Sequence, residues 1–261
     1  MMLRGIWAIV VLDMKRFWLE KARLVAGLAQ PLLYLFVLGK GIGASSQMGG
    51  ADYQRFIFPG VLALSLLFTA TFGAITIVFD RQVGFFKAVL VSPVPRAAIA
   101  LGKISSGALQ AALQGLVVLP FAPLAGLPLG LGETIALFGG IALASVTFSA
   151  LGVAVAARFT STTVFPIVSN AVLLPMFFLS GALYPLSGAP RWMQIAAHLD
   201  PVAYAVDLMR GALLDKFFFS PWLSLGVLAA VIALLTWLAV LVFRRGEDDS
   251  SLGATQFNWR R

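Results

Sequence analysis

The chain contains no cysteine and a single histidine, His198. Disulfides, thiolate nucleophiles and cysteine-ligated metals are therefore excluded, and a histidine-rich metal site cannot be built within one chain. Charge is scarce as well. Charged residues make up 11% of the chain, against about 25% in ordinary soluble domains. No G-x-x-x-x-G-K-S/T motif occurs, because Lys40 and Lys103 each follow a glycine but lack the earlier one. That removes the phosphate-cradling P-loop. H-E-x-x-H, G-x-S-x-G and C-x-x-C are also missing, which leaves hydrolase and redox chemistry without an anchor. The sequence thus offers no catalytic residue and no metal centre of its own.

What is present is apolar. Hydrophobic residues make up 60% of the 261 and mean hydropathy is +0.93. A soluble core of this size cannot enclose so much apolar surface, so lipid must cover it. Six runs carry no Asp, Glu, Lys, Arg or His: Leu24–Gly39, Phe56–Phe79, Ile104–Leu129, Ile135–Ala157, Val164–Tyr184 and Trp222–Phe243. About 20 apolar residues cross a bilayer as a helix. The first run is short, but Lys40 can snorkel and the span can extend to residue 43. Barrel strands would alternate in polarity, and these runs do not. The expected fold is an all-α integral membrane protein with spans at about 24–43, 56–79, 104–129, 135–157, 164–184 and 222–243, framed by residues 1–23 and a tail at 244–261.

Basic residues orient these spans. With the N-terminus inside, fourteen Lys and Arg fall on the cytoplasmic segments and five on the other side, which predicts both termini in the cytoplasm. The net charge of +8 is spread between the runs rather than gathered in a patch, so nucleic acid is not an expected partner. Residues 1–23 read as an amphipathic helix at the membrane interface. Leu3, Ile6, Trp7, Val10, Met14, Phe17 and Trp18 recur at helical spacing, with Arg4, Asp13, Lys15, Arg16, Glu20 and Lys21 between them.

Two connections exceed a tight turn. Residues 80–103 lie inside, with Gly84 and two prolines, Pro93 and Pro95. This pattern predicts a short helix, an extended turn and a return into the third span. Phe85 and Phe86 beside basic residues suit a docking element, and an ordinary basic cytoplasmic loop is the alternative reading. Residues 185–221 lie outside and are too apolar for a free loop. An amphipathic stretch follows Pro190, and Asp200-Pro201 reads as an N-cap with proline at the first helical position. The next helix would carry Tyr204, Asp207 and Arg210, the last two at i, i+3 and able to pair. Two such helices can dip into the outer leaflet with their ends covered by protein. Within the spans, Gln110 and Gln114 share a helix face and are expected to bridge to neighbouring helices. No span holds an acid of the kind that ion-driven carriers use, so an energy source belongs on another chain.

Three places resemble the ABC-2 type permeases, the membrane subunits of bacterial ATP-binding-cassette exporters, and within them the drug-resistance and nodulation-factor export branch. Asp80-Arg81-Gln82-Val83-Gly84, running into Leu90 to Arg96, stands where the family has an acidic Arg-containing segment after its second span. Phe178-Leu179-Ser180-Gly181 with Tyr184-Pro185-Leu186 is similar to the end of its fifth span. Pro190, Trp192, Asp200-Pro201, Tyr204, Asp207 and Arg210 resemble its outer re-entrant helices. Two departures, Asp80 for the usual glutamate and Gln82 for an acid, weaken pairing with basic groups on a partner.

The resemblance implies a homodimeric half-transporter driven by two copies of a separate ATPase, which would bind ATP and Mg while this chain binds no cofactor. Residues 1–23 would be its interface helix. The segment 80–96 would be its coupling helix, with Asp80, Arg81, Gln82, Gly84, Phe85, Phe86, Pro93 and Arg96 as ATPase-coupling residues. Tyr34, Phe68, Phe72, Phe177 and Phe178 would line a pathway for an amphipathic drug-like, lipid or lipid-linked glycan substrate. Asp200, Pro201, Tyr204, Asp207 and Arg210 would be structural. The expected location is the bacterial inner membrane. The competing reading is an ion-coupled or passive carrier without an ATPase.

Overall fold

The computed structural model describes residues 2–41, 50–83, 95–127 and 130–245. Among these residues the structure is entirely helical. The elements are α1 (Met2–Leu19), α2 (Lys21–Leu33), α3 (Gly50–Gly73), α4 (Ile75–Gln82), α5 (Arg96–Val118), α6 (Leu131–Ala156), α7 (Val164–Leu179), α8 (Arg191–Leu199), α9 (Pro201–Leu214) and α10 (Pro221–Arg245).

Four stretches are long and apolar enough to cross a membrane: Ala51–Gln82, Arg96–Phe121, Leu131–Ala156 and Pro221–Phe243. This establishes a multi-pass chain, with four of the six expected crossings meeting the criterion. α7 has 16 residues, about 24 Å at 1.5 Å per residue. It ends at Leu179 instead of reaching Tyr184 because Ser180 and Gly181 turn the chain, Gly181 at φ 72°. α2 runs into a π-helical stretch over Tyr34–Leu38. Pro31 precedes it, lacks an N–H and crowds the carbonyl four residues back, so the helix widens. The third span also differs from expectation. Helix begins at Arg96, not at Ile104, because Pro95 is extended (ψ 138°) and hands over directly to α5. Lys103, assigned above to a cytoplasmic loop, lies two turns inside that helix.

α3 is the centre of the bundle. Its Leu62, Leu64, Leu66 and Leu67 are fully buried with Phe148 of α6 and Leu173 and Phe177 of α7. Backbones approach closely where a side chain is absent, as is usual between membrane helices. A Cβ on Gly152 of α6 would lie 2.7 Å from Thr71 Cα. A second cluster joins Ile77 and Val78 of α4, Ile99 of α5, Val153 of α6 and Phe243 of α10. It seals the end of the bundle that carries Asp80.

Candidate functional site

α1 follows the first half of α5 in the same direction. A Cβ on Gly102 would meet Ile9, and Asp13 lies one turn further along, against Lys103 and Ser106. The buried face of α1 is Gly5, Val10, Asp13 and Phe17, so one carboxylate goes inward with the apolar residues. Trp7 and Trp18, read above as members of the apolar face, are exposed.

Asp13 is buried because it has a cation. Lys103, 8% exposed, donates from Nζ to Asp13 Oδ1 at 3.0 Å, to Asp80 Oδ2 at 3.2 Å and to Thr76 Oγ1 at 3.2 Å. Arg16 Nη1 donates to Asp80 Oδ1 at 3.1 Å, and Ser106 Oγ donates to Asp13 Oδ2 at 2.9 Å. Two carboxylates and two cations thus cancel, the condition under which charge tolerates burial. The cluster joins three elements: α1, α4 and α5. Asp80 stands just before residues 84–94 and Lys103 just after them, so both flanks of that segment are fastened to α1.

Of the residues assigned to coupling, Gly84, Phe85, Phe86 and Pro93 lie outside the described residues. Asp80 is in the cluster. Arg81 Nη1 donates to Ala157 O at 2.6 Å and its guanidinium lies 5.7 Å from the Phe243 ring centre, which ties α4 to the ends of α6 and α10. Gln82 Oε1 accepts from Thr162 Oγ1 at 3.0 Å. Arg96 opens α5.

A cavity of about 500 Å3 opens between α2, α3 and α7, lined by Gly27, Gln30, Phe68, Thr69, Phe72, Asn170 and Leu174. Phe68 and Phe72 stack with ring centres 5.6 Å apart. Gln30, Thr69 and Asn170 supply uncharged donors and acceptors. The other assigned aromatics sit elsewhere. Phe177 is fully buried in the core, with Tyr34 edge-on at 6.2 Å and Phe178 edge-on at 5.6 Å. Phe178 is 45% exposed. Gln110 Oε1 and Gln114 Nε2 are buried without a hydrogen-bond partner, so those two atoms make none of the expected bridges.

At the opposite end, Asp200 caps α9 through Oδ1, which accepts from Val202 N at 2.8 Å, with Pro201 at the first helical position. Burial pushes this carboxyl up to about 7, while the Val202 bond pulls the other way. Tyr204 donates its hydroxyl to His198 O at 2.9 Å. Asp207 and Arg210 do not pair as expected. Asp207 accepts from Phe218 N at 2.7 Å and Phe219 N at 3.0 Å. Arg210 donates to Gly181 O at 2.9 Å and lies 4.0 Å over the Phe56 ring. The turn at Gly181 and the chain's entry into α10 offer closer partners than the i, i+3 neighbour. Burial lowers the Arg210 guanidinium to about 10, with the Asp207 charge opposing.

Asp13, Arg16, Lys103 and Ser106 were missed as site residues. Asp13 and Lys103 are far apart in the chain, and no motif joins them. One signal was present: Asp13 stands at i+3 from Val10 and i−4 from Phe17, on the apolar side of α1.

Known proteins match this sequence over most of the chain. The ABC-2 type transporter family matches residues 4–214. Nodulation protein J of Rhizobium leguminosarum bv. trifolii is 33% identical over 227 residues, 86% of either chain. Nodulation protein J of Neorhizobium galegae is 30% identical over 230 residues, again 86% of either chain. The inner membrane transport permease YadH of Escherichia coli K12 is 26% identical over 253 residues, 94% of this chain and 95% of its own. The chain belongs to the ABC-2 type transporter family.

Proposed function

We propose that the chain is the permease subunit of an ATP-driven exporter in the bacterial inner membrane. Two copies form the pathway, and two copies of a separate ATPase, which holds ATP and Mg, bind from the cytoplasm. In this reading the chain crosses the membrane six times, α2 and α7 included, with both termini inside. The substrate is an amphipathic drug-like molecule, a lipid or a lipid-linked glycan.

The charge cluster carries the reading. Asp13, Arg16, Asp80 and Lys103 hold α1, α4 and α5 as one body around residues 84–94. A push on that segment would therefore reach α1, α4 and α5 together. The uncharged cavity on α2, α3 and α7 suits an amphipathic guest, with stacked Phe68 and Phe72 for its apolar part and Gln30 and Asn170 for its polar part. The missing P-loop and the likeness to YadH, a transport permease, agree with a subunit that borrows its energy.

Co-expression with the cognate ATPase tests this reading. The purified chain alone should hydrolyse no ATP above background, and with the ATPase it should purify as a two-plus-two complex. A chain that forms no such complex contradicts the reading.

A further inference from the structure

The corner where α1 gives way to α2 holds a second cavity, separate from the one on α2, α3 and α7. It measures about 270 Å3 and is walled by Phe17 and Trp18 of α1, Leu28 of α2, and Leu113, Gln114 and Val117 of α5. All but Gln114 present hydrocarbon or ring surface. An apolar cavity of about 150 Å3 stays dry and accepts benzene, so this larger one suits hydrocarbon rather than water. Gln114 is 2% exposed, and its Nε2 has no hydrogen-bond partner. A buried donor left without an acceptor costs about 1–3 kcal/mol. Gly27 backs the amide from the other side, where a Cβ would lie 3.2 Å from Nε2.

The surroundings of the mouth belong in a bilayer. Trp18 is 60% exposed and Leu19 is 82% exposed. Lys15 and Lys21, three residues before and after Trp18, are exposed too. Tryptophan with flanking lysines is the usual dress of a helix at the headgroup level.

We infer that this corner binds one anionic glycerophospholipid. An acyl chain fills the cavity, and the phosphate lies toward Lys15 and Lys21. The apolar volume calls for a chain, and the two exposed lysines for negative charge in the headgroup. The inference needs only that the chain resides in a membrane, and it stands apart from the transport reading. It also bears on the first cavity, because Gly27 lines that cavity and Gln114 lines this one. A seated lipid would hold the partition between them.

Native mass spectrometry of the full chain tests the site, after release from bilayers that mix phosphatidylglycerol with phosphatidylcholine. Wild type should retain one phosphatidylglycerol per chain. Leu28→Trp and Val117→Phe each place a larger side chain in the cavity and should abolish retention, with circular dichroism confirming that the helices persist. Lys15→Gln combined with Lys21→Gln should keep a lipid but remove the preference for phosphatidylglycerol. Equal retention by wild type and a folded cavity-filling variant overturns the site. Retention of phosphatidylcholine as readily as phosphatidylglycerol by wild type overturns the anionic assignment.

Discussion

The two ends of the bundle bury charge in different ways. At the end that carries α1, charge answers charge: Lys103 is shared between Asp13 and Asp80, and Arg16 completes the set. At the end that carries α8 and α9, charge answers backbone: Asp200 caps a helix, Asp207 takes two main-chain N–H groups, and Arg210 holds a turn carbonyl. The first arrangement makes its members depend on one another across three elements. The second fixes local geometry and lets each residue be removed almost separately. A mechanical junction suits the first, and a rigid cover suits the second.

The largest effect is expected at Lys103. Lys103→Met strands the buried Asp13 carboxylate, while Asp80 keeps Arg16, and should cost about 3–5 kcal/mol of stability. Adding Asp13→Asn removes the stranded charge and should recover most of that loss, read as the melting temperature of the purified chain. A double variant no more stable than Lys103→Met would contradict a charge-balanced cluster.

Next comes Arg210→Ala, which removes the carbonyl bond and the Phe56 contact together. It should cost about 2–3 kcal/mol. A double-mutant cycle of Arg210→Ala with Asp207→Asn should give a smaller coupling energy than a cycle of Asp13→Asn with Lys103→Met. The reverse order would dissolve the contrast between the two ends.

Asp200→Ala should cost about 0.5–2 kcal/mol through loss of the N-cap, with ATPase assembly intact. A pH dependence arises at the same residue. The Asp200 carboxyl is raised by burial from 3.8 to about 7, so the folded state binds its proton more tightly than the unfolded one. Its contribution is present in full below pH 3.8 and is lost as pH rises through about 7. Asp200→Asn keeps an acceptor for Val202 N and should flatten the pH profile of melting across that window. An unchanged slope would show that another group titrates there.

Much of this was legible in the sequence. The apolar runs marked the long helices, and Asp200-Pro201 marked the start of α9, because local patterns encode local structure. Helix ends were harder. Gly181 closes α7 early, and Arg96 opens α5 early, for reasons of turn geometry and tertiary burial. The cluster was not legible as a whole. Asp80 was singled out, but its partners Asp13, Arg16 and Lys103 come from two other helices, and Lys103 looked like one more topology-setting base. The same reason explains Asp207 and Arg210. Spacing made them neighbours, while folding brought Phe218, Phe219 and Gly181 closer.

The central claim is that a partner ATPase drives this chain. The direct measurement is movement of a fluorescent amphiphile across sealed proteoliposomes, with the cognate ATPase, ATP and Mg added together and each omitted in turn. The account predicts movement with the full set only, lost in Phe86→Ala although that variant inserts normally. ATP-independent movement by the chain alone, at the rate of the full set, would contradict it.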